Sequence, residues 1–334
     1  MFKITFLGLE DSISSFITGP LDLFYHTGRI WNVINGDKED PFFEVELVSL
    51  DGKKITCQNG ITLQPKCSIF DSVEQDLIVI SSSSFDIGWT LEKYKPVLPY
   101  LRSQFEKGIP VASLCIGAFL IAEAGLLNGR KASTHWGFCN LFEEMYPQVK
   151  LCREELISED TGVFTSGGAN SGLDLTLYLI EKFSGHSQAM NVAKSFVLEL
   201  GRHGQAPFSK FIGRRSHSDK EMLIAQEWIE NNCNRLLSFN EISEKLVMSQ
   251  RTLNRRFKEA TGLSPVDYLQ NVRIESAKIF LETGNDTVQE IAYLVGYEDI
   301  SFFRKVFKKI TGITPNQYRQ MYRVRNQIQN GFHP

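Results

Sequence analysis

The chain is 334 residues long, room for two or three domains, and its 42% apolar and 22% charged residues are those of an ordinary soluble globular protein. A formal net charge of −3 is unpromising for a nucleic-acid binder, but it hides a split: residues 209–325 carry a balance of +5 and residues 1–208 one of −8. An acidic body with a basic C-terminal module confines phosphate contact to the module.

The six cysteines, at 57, 67, 115, 139, 152 and 233, include no C-x-x-C pair. MFKITFLGLEDS alternates like a strand and lacks the apolar core of a secretory leader. The expectation is a cytoplasmic chain with reduced thiols, no cofactor and no metal site.

Lys3–Leu7 reads as a strand, and a helix follows Gly19-Pro20 through about Trp31. Phe43–Val48 is a second strand, and Ile61 to Ile69 holds short extended pieces. Leu77–Ile80, apolar throughout, has the pattern of a central strand. Helix Lys95–Glu106, strand Val111–Leu114 and helix Gly117–Ala124 come next. Val163–Thr165 is a short strand, Asn170–Phe183 a helix behind a Gly-Gly turn, and Gln188–Leu200 the last helix of the series. Strands separated by helices predict an α/β domain over residues 1–208, a doubly wound, largely parallel sheet covered on both faces. Ligands of such sheets sit at the strands' carboxyl ends. One run, Ile109 to Leu127, has Glu123 as its only charge and approaches the length of a membrane span. Pro110, the Cys-Ile-Gly centre and Glu123 divide it into a buried strand, a turn and a buried helix, so no membrane partner is expected.

Three strand ends converge in this reading. Cys115 follows the strand VASL and precedes a helix, the strand–sharp turn–helix arrangement of a nucleophile elbow. The dipole of that helix favours a thiolate. His135 and Trp136, in ASTHW, and Ser166-Gly167-Gly168 are expected to line the same crevice. Against this, a small buried hydrophobe is the commoner fate of a free cysteine.

Residues 209–219, SKFIGRRSHSD, read as a mobile interdomain linker, and 323–334 as a fraying tail. Between them, Phe239 to Arg319 states one pattern twice. Glu241-Ile242 matches Glu290-Ile291; after a one-residue insertion, Leu253, Phe257, Thr261, Gly262, Pro265 and Tyr268 match Phe303, Phe307, Thr311, Gly312, Pro315 and Tyr318. Each copy reads as helix, turn, helix. Ser238 with Glu241, and Thr287 with Glu290, have the form of a capping box. Ile242 and Leu246, then Ile291 and Leu294, give the first helices an apolar face. The turns are Val247-Met248 and Gly296-Tyr297. A helix from Pro265 to about Thr283, with Val266, Leu269, Val272 or Arg273, Ala277 and Phe280 recurring every three or four positions, joins the copies. About 19 residues make a rod of about 28 Å, close to the roughly 34 Å between successive major-groove openings on one face of a duplex.

The second helices, about Ser249–Ala260 and Ile300–Ile310, turn Leu253, Phe257, Phe303 and Phe307 inward. Their opposite faces present Gln250, Arg251, Asn254, Arg255 and Lys258, then Ser301, Phe302, Arg304, Lys305 and Lys308. Arginine and asparagine pair with guanine and adenine edges, while lysine mostly meets phosphate. A solvated basic face is the plainer reading of one such helix; its recurrence at equivalent positions of two helices points to helix-turn-helix docking on DNA.

Residues 220–322 resemble the DNA-binding domain of the AraC/XylS transcription regulators, the run IAYLVGYEDISFFRKVFKKITGITPNQYR over its whole length. The resemblance implies an all-α domain of two helix-turn-helix units. It makes Arg251, Asn254 and Arg255, then Ser301, Arg304 and Lys305, base-facing, with Phe302 available to a thymine methyl. In the other half, ITGPLDLF, SLCIGAFLIAEAGLLNGRKASTHW, SGGANSGLDLTLYLIEKFSG and RHGQAPF are similar to the PfpI-like, class I glutamine amidotransferase-like domain. In the GlxA-type branch that domain precedes an AraC module.

Members of the wider superfamily use the elbow cysteine with a nearby acid and sometimes a histidine, as proteases, deglycases or hydratases. This chain departs from them twice. Ile116 stands where protease-like relatives have histidine, and Phe16 where relatives carry the partner Asp or Glu. A thiol without that carboxylate loses its partner for activation and proton transfer. Glu10 and Asp11 fall at the wrong spacing. The resemblance thus implies a non-catalytic sensor whose pocket, formed by Cys115, Ile116, Phe16, His135, Trp136, Ser166, Gly167 and Gly168, holds a small-molecule effector. It also implies a homodimer whose partners are double-stranded DNA and RNA polymerase. The alternative is a hydrolase or deglycase with Cys115 as nucleophile, fused to a DNA-binding module.

Overall fold

The computed structural model describes residues 1–72, 74–168, 170–199 and 204–322. The first unit, Met1–Gln205, begins with β1 (Phe2–Leu7), α1 (Ser15–Tyr25), α2 (Ile30–Ile34) and β2 (Phe43–Ser49). The short strands β3 (Ile55–Thr56), β4 (Thr62–Leu63) and β5 (Cys67–Ser68) precede the central β6 (Leu77–Ile80). After it come α3 (Ile87–Lys93), α4 (Val97–Glu106), β7 (Val111–Ser113) and α5 (Ala118–Glu123). The unit continues through β8 (Lys131–Ala132), α6 (Cys139–Met145), β9 (Lys150–Leu151), β10 (Ile157–Asp160), β11 (Val163–Ser166), α7 (Ser171–Ser184) and α8 (His186–Ser195).

Seven strands form one sheet in the order β10-β11-β7-β6-β1-β2-β5, parallel except where β10 runs antiparallel to β11. All four residues of β6 are buried, and they alternate between two cores. Ile78 and Ile80 pack with Leu101, Phe119 and Ile121 on one face; Leu77 and Val79 pack with Ile17, Phe24, Leu175 and Ile180 on the other. Helices therefore cover both faces, and each such buried side chain contributes about 1.5–3 kcal/mol. The strand order reverses between β1 and β6, where the Leu9 amide donates to Ser81 Oγ at 2.9 Å.

Several boundaries differ from the expectation. The first helix starts at Ser15, ahead of Gly19-Pro20, because the Ser14 carbonyl accepts from Ile17 and Thr18 and starts the turn early. Pro20 lies inside it and forgoes a backbone bond, a loss offset by burial of Ile17, Leu23 and Phe24. That helix stops at Tyr25 rather than Trp31, since Gly28 takes φ +78 against the Asp40 carbonyl. The run from Ile109 to Leu127 holds β7 and α5, and no helix among the described residues is long and apolar enough to cross a membrane. The expected end of the last helix at Leu200, Ala169, Arg202 and His203 of the quoted runs, and the tail 323–334 lie outside the described residues.

The second unit, from Ala206 onward, is helical among the described residues. It comprises α9 (Lys220–Asn232), α10 (Phe239–Lys245), α11 (Gln250–Thr261), α12 (Pro265–Thr283), α13 (Val288–Leu294), α14 (Ile300–Thr311) and α15 (Pro315–Tyr322). Two cores correspond to the two sequence copies. Leu253, Phe257 and Tyr268 pack with Met222 and Ile229 of α9; Phe303, Phe307 and Tyr318 pack with Ile274, Ala277 and Leu281 of α12. Each unit is thus three helices and the start of a fourth, with α9 standing to the first as α12 stands to the second. The internal repeat legible in the sequence, Phe239 to Arg319, begins after α9.

Here too the structure corrects details. Val266 is exposed; Leu269, Arg273 and Ala277 are buried as their spacing required, and α12 also buries Tyr268, Ile274 and Leu281, because it must serve two cores on different sides. Leu294 is exposed, and Val295 is buried in its place. The capping box closes at Thr287–Glu290, whereas Ser238 makes no side-chain cap and Glu241 pairs with Arg235. Residues 209–219 are not a free tether. Lys278 Nζ donates to the Ser209 carbonyl at 2.8 Å, Phe211 meets the Tyr268 ring, Gln226 donates to the Arg214 carbonyl, and Arg215 pairs with Glu230. The division at Gln205/Ala206 rather than after 208 has the same cause, since the Pro207 carbonyl accepts from Tyr322 and Phe208 packs on that ring.

Candidate effector crevice and nucleic-acid interface

Cys115 follows β7 with φ +56, a left-handed conformation that non-glycine residues adopt only under constraint. Two bonds supply the constraint. Its amide donates to Ser166 Oγ at 3.3 Å, and Thr134 Oγ1 donates to its carbonyl at 3.2 Å. The next residue but one must be glycine, because a Cβ at Gly117 would lie 2.6 Å from the Ser81 carbonyl oxygen. The elbow is therefore present. Its electrostatics are the reverse of the dipole argument: burial pushes the thiol up to about 11, with Ser82 and the Ile116 amide drawing it only partly back. Desolvation outweighs the short α5.

The expected crevice residues meet unequally. His135 Nδ1 accepts from the Gly137 amide at 3.1 Å, which places the proton of the neutral ring on Nε2, and burial lowers its pKa. The ring edge faces Gly168, where a Cβ would come within 3.2 Å of Cδ2. Trp136 lies against His135, with centroids 5.3 Å apart. Cys115, His135, Trp136, Ser166, Gly167 and Gly168 thus form one neighbourhood. Ile116 is buried in the core beside Phe119, and Phe16 is half-buried on α1 with no hydrogen bond or ring contact among the described residues tying its side chain to Cys115. Glu10 forms an ion pair with Lys93 at 2.7 Å, and the Asp11 amide is held by the Thr56 carbonyl. No group of three or more His, Cys, Asp or Glu that could hold a metal occurs among the described residues.

Gln205, not among the expected site residues, is the staple of this neighbourhood. Its Nε2 donates to the Thr134 and Arg153 carbonyls, each at 2.9 Å, and its Oε1 accepts from the Trp136 and Gly168 amides. Gly167 must lack a side chain because a Cβ would lie 2.6 Å from Oε1. The only signal was its place in the RHGQAPF run.

In the second unit, Gln250, Arg251, Asn254, Arg255, Lys258, Ser301, Phe302, Arg304, Lys305 and Lys308 are all exposed, opposite the buried Leu253, Phe257, Phe303 and Phe307. Helices α11 and α14 each start on a side-chain cap: Ser249 accepts from the Thr252 amide, and Asp299 from Ser301 and Phe302. Arg255 pairs with Glu259 one turn on at 3.0 Å, and Gln250 is bonded to Asn240. Arg256 faces elsewhere, held by Asp219 and Glu221. No acid lies on α14.

The comparisons agree with this division. Residues 33–182 match the DJ-1/PfpI family and residues 242–321 a helix-turn-helix domain. The HTH-type transcriptional regulator GbdR of Pseudomonas aeruginosa is 24% identical over 296 residues, covering 87% of this chain and 78% of that protein. The HTH-type transcriptional regulator GlxA of Rhizobium meliloti is 27% identical over 221 residues, 66% of this chain and 68% of that one. Isonitrile hydratase of Pseudomonas putida is 29% identical over 152 residues, 46% of this chain and 64% of the enzyme. A solved putative transcriptional regulator from Vibrio parahaemolyticus covers 59% of this chain and 98% of its own at a TM-score of 0.52 and 23% identity, which supports the fold of the first unit. The chain thus carries a DJ-1/PfpI domain ahead of an AraC-type helix-turn-helix domain, the arrangement of a transcriptional regulator.

Proposed function

We propose that α11 and α14 enter successive major grooves of one duplex, Arg251, Asn254, Arg255, Ser301, Arg304 and Lys305 reading bases. Phe302 meets a thymine methyl, and Gln250, Lys258 and Lys308 steady the backbone. The single observation that carries this reading is that all ten side chains are exposed, on helices whose opposite faces are buried. The first unit, residues 1–208 in the sequence reading, binds a small effector near Cys115. Binding shifts the population of DNA-competent homodimers. The chain works in the cytoplasm, where DNA and RNA polymerase are at hand. Replacing both Arg304 and Lys305 by Ala is expected to abolish specific binding while thermal unfolding stays unchanged. Full-affinity binding by that variant would refute the reading.

The crevice serves as a binding site rather than a catalytic one. The likeness to isonitrile hydratase and the strained elbow favour the opposite view. A buried thiol with pKa about 11, and an ion-paired Glu10 as the acid already engaged elsewhere, weigh against it. With the thiol pKa raised, the neutral form prevails at physiological pH and the thiolate appears only as pH climbs toward about 11. Iodoacetamide should therefore leave Cys115 intact at neutral pH, as read by peptide mass spectrometry, and Cys115→Ser should bind DNA as the parent does. Rapid alkylation at neutral pH would restore the enzyme reading.

A further inference from the structure

Most basic side chains of the second unit lie at its surface, but Arg273 does not. It sits near the middle of α12, the helix shared by both helix-turn-helix units, and is only 9% exposed. Its Nε donates to the Cys233 carbonyl and a terminal nitrogen to the Arg235 carbonyl, both at 2.8 Å. Cys233 ends α9 and Arg235 lies before α10, so both acceptors belong to the first helix-turn-helix unit. On its other side the guanidinium carbon lies 5.1 Å from the centre of the Tyr297 ring, in the turn of the second helix-turn-helix unit. Gly296 closes the gap: a Cβ there would stand 2.8 Å from an Arg273 nitrogen and 2.8 Å from the Cys233 oxygen. One guanidinium therefore touches the loop of one helix-turn-helix unit and the turn of the other.

We propose that Arg273 is the positioning residue that sets the pose of α14 relative to α11 and so decides whether one duplex is read by both helices at once. The chemistry suits the task. A planar fork bonds two carbonyls in its plane and offers its face to an aromatic ring, which a lysine ammonium does not reproduce. The Cys233 carbonyl, at the end of α9, carries the partial negative charge of a helix terminus, so it holds the cation firmly. Two linked reading heads gain affinity from each other only when both fit together, and that gain vanishes when the geometry is lost. Arg273 is too buried to touch DNA, so its contribution is confined to that joint fit.

This inference rests on the two-helix reading above, and one experiment separates their failures. The full chain selects a duplex from a random library, and affinities are measured for that duplex and for versions with either of its two boxes scrambled. The parent chain should lose affinity with either box scrambled; no loss would sink the two-helix reading itself. Arg273→Met should weaken binding to the intact duplex about 10-fold or more, yet bind each single-box duplex within about twofold of the parent. Arg273→Lys should fall between the two on the intact duplex. Equal losses on all three duplexes would reduce Arg273 to a fold-holding role, and no loss on the intact duplex would remove it from binding; either overturns the proposal. Should Arg273→Met fail to fold, Arg273→Lys decides by the same criteria.

Discussion

The two helix-turn-helix units are alike where they bury side chains and unlike in their turns and caps. Tyr268 and Tyr318 each donate to a glutamate at 2.6 Å, Glu230 in one unit and Glu282 in the other. Thr261 and Thr311 donate back to the Phe257 and Phe307 carbonyls, and Gly262 and Gly312 end the reading helices at φ +82 and +78. The turns diverge. Gly296 takes φ +88 beneath Arg273, whereas the matching Val247 takes φ +52 and is 93% exposed. The shared positions are those each unit needs to fold. The glycine is needed only where the second unit must press against the first, and where the turn meets solvent a strained valine is tolerated.

The sharpest way to break this comparison is at the turns. Gly296→Ala should destabilise the second unit by about 2–4 kcal/mol, through left-handed strain plus the collision with Arg273 and Cys233. Val247→Gly should act in the opposite direction, stabilising the first by about 0.5–1 kcal/mol as strain is relieved against added chain entropy. Hydrogen exchange of α10 and α13 amides reads each unit separately. Equal responses at the two turns would erase the distinction.

A smaller contrast lies in the reading helices. Arg304→Ala should cost about 1–3 kcal/mol of specific binding. Arg255→Ala should cost less, because Glu259 already competes for that guanidinium. Titrations of both variants on one selected duplex rank them; the reverse order would shift the weight of recognition to α11. Smallest of all is the cap: Thr287→Ala should lose about 1 kcal/mol, and Ser238→Ala nearly nothing since its hydroxyl caps no amide. A matching loss at both would show that the first cap forms in solution.

Much of this was legible in advance because periodicity and repetition are local. Alternating and continuous apolar runs marked β1, β2, β6 and β7, and the repeated Phe, Thr-Gly, Pro and Tyr positions marked both units. The inward pairs Leu253/Phe257 and Phe303/Phe307 are buried as their spacing required. The sharp turn at Cys115 followed from strand, Gly117 and helix in succession. What escaped were contacts between residues far apart in the chain. Gln205 reaches Thr134, Trp136, Arg153 and Gly168, and nothing near it in the sequence announces those partners.

The sequence by itself therefore determined the two-part plan, the twice-used helix-turn-helix motif and which helix faces would be wet, since these depend on the order of apolar and charged residues along short segments. The tertiary structure alone decided the burial of the Cys115 thiol, the docking of residues 209–219 on their own unit, and the burial of Arg273 between the two helix-turn-helix units. Each of those depends on desolvation and on carbonyls brought close by folding, quantities that no local pattern encodes.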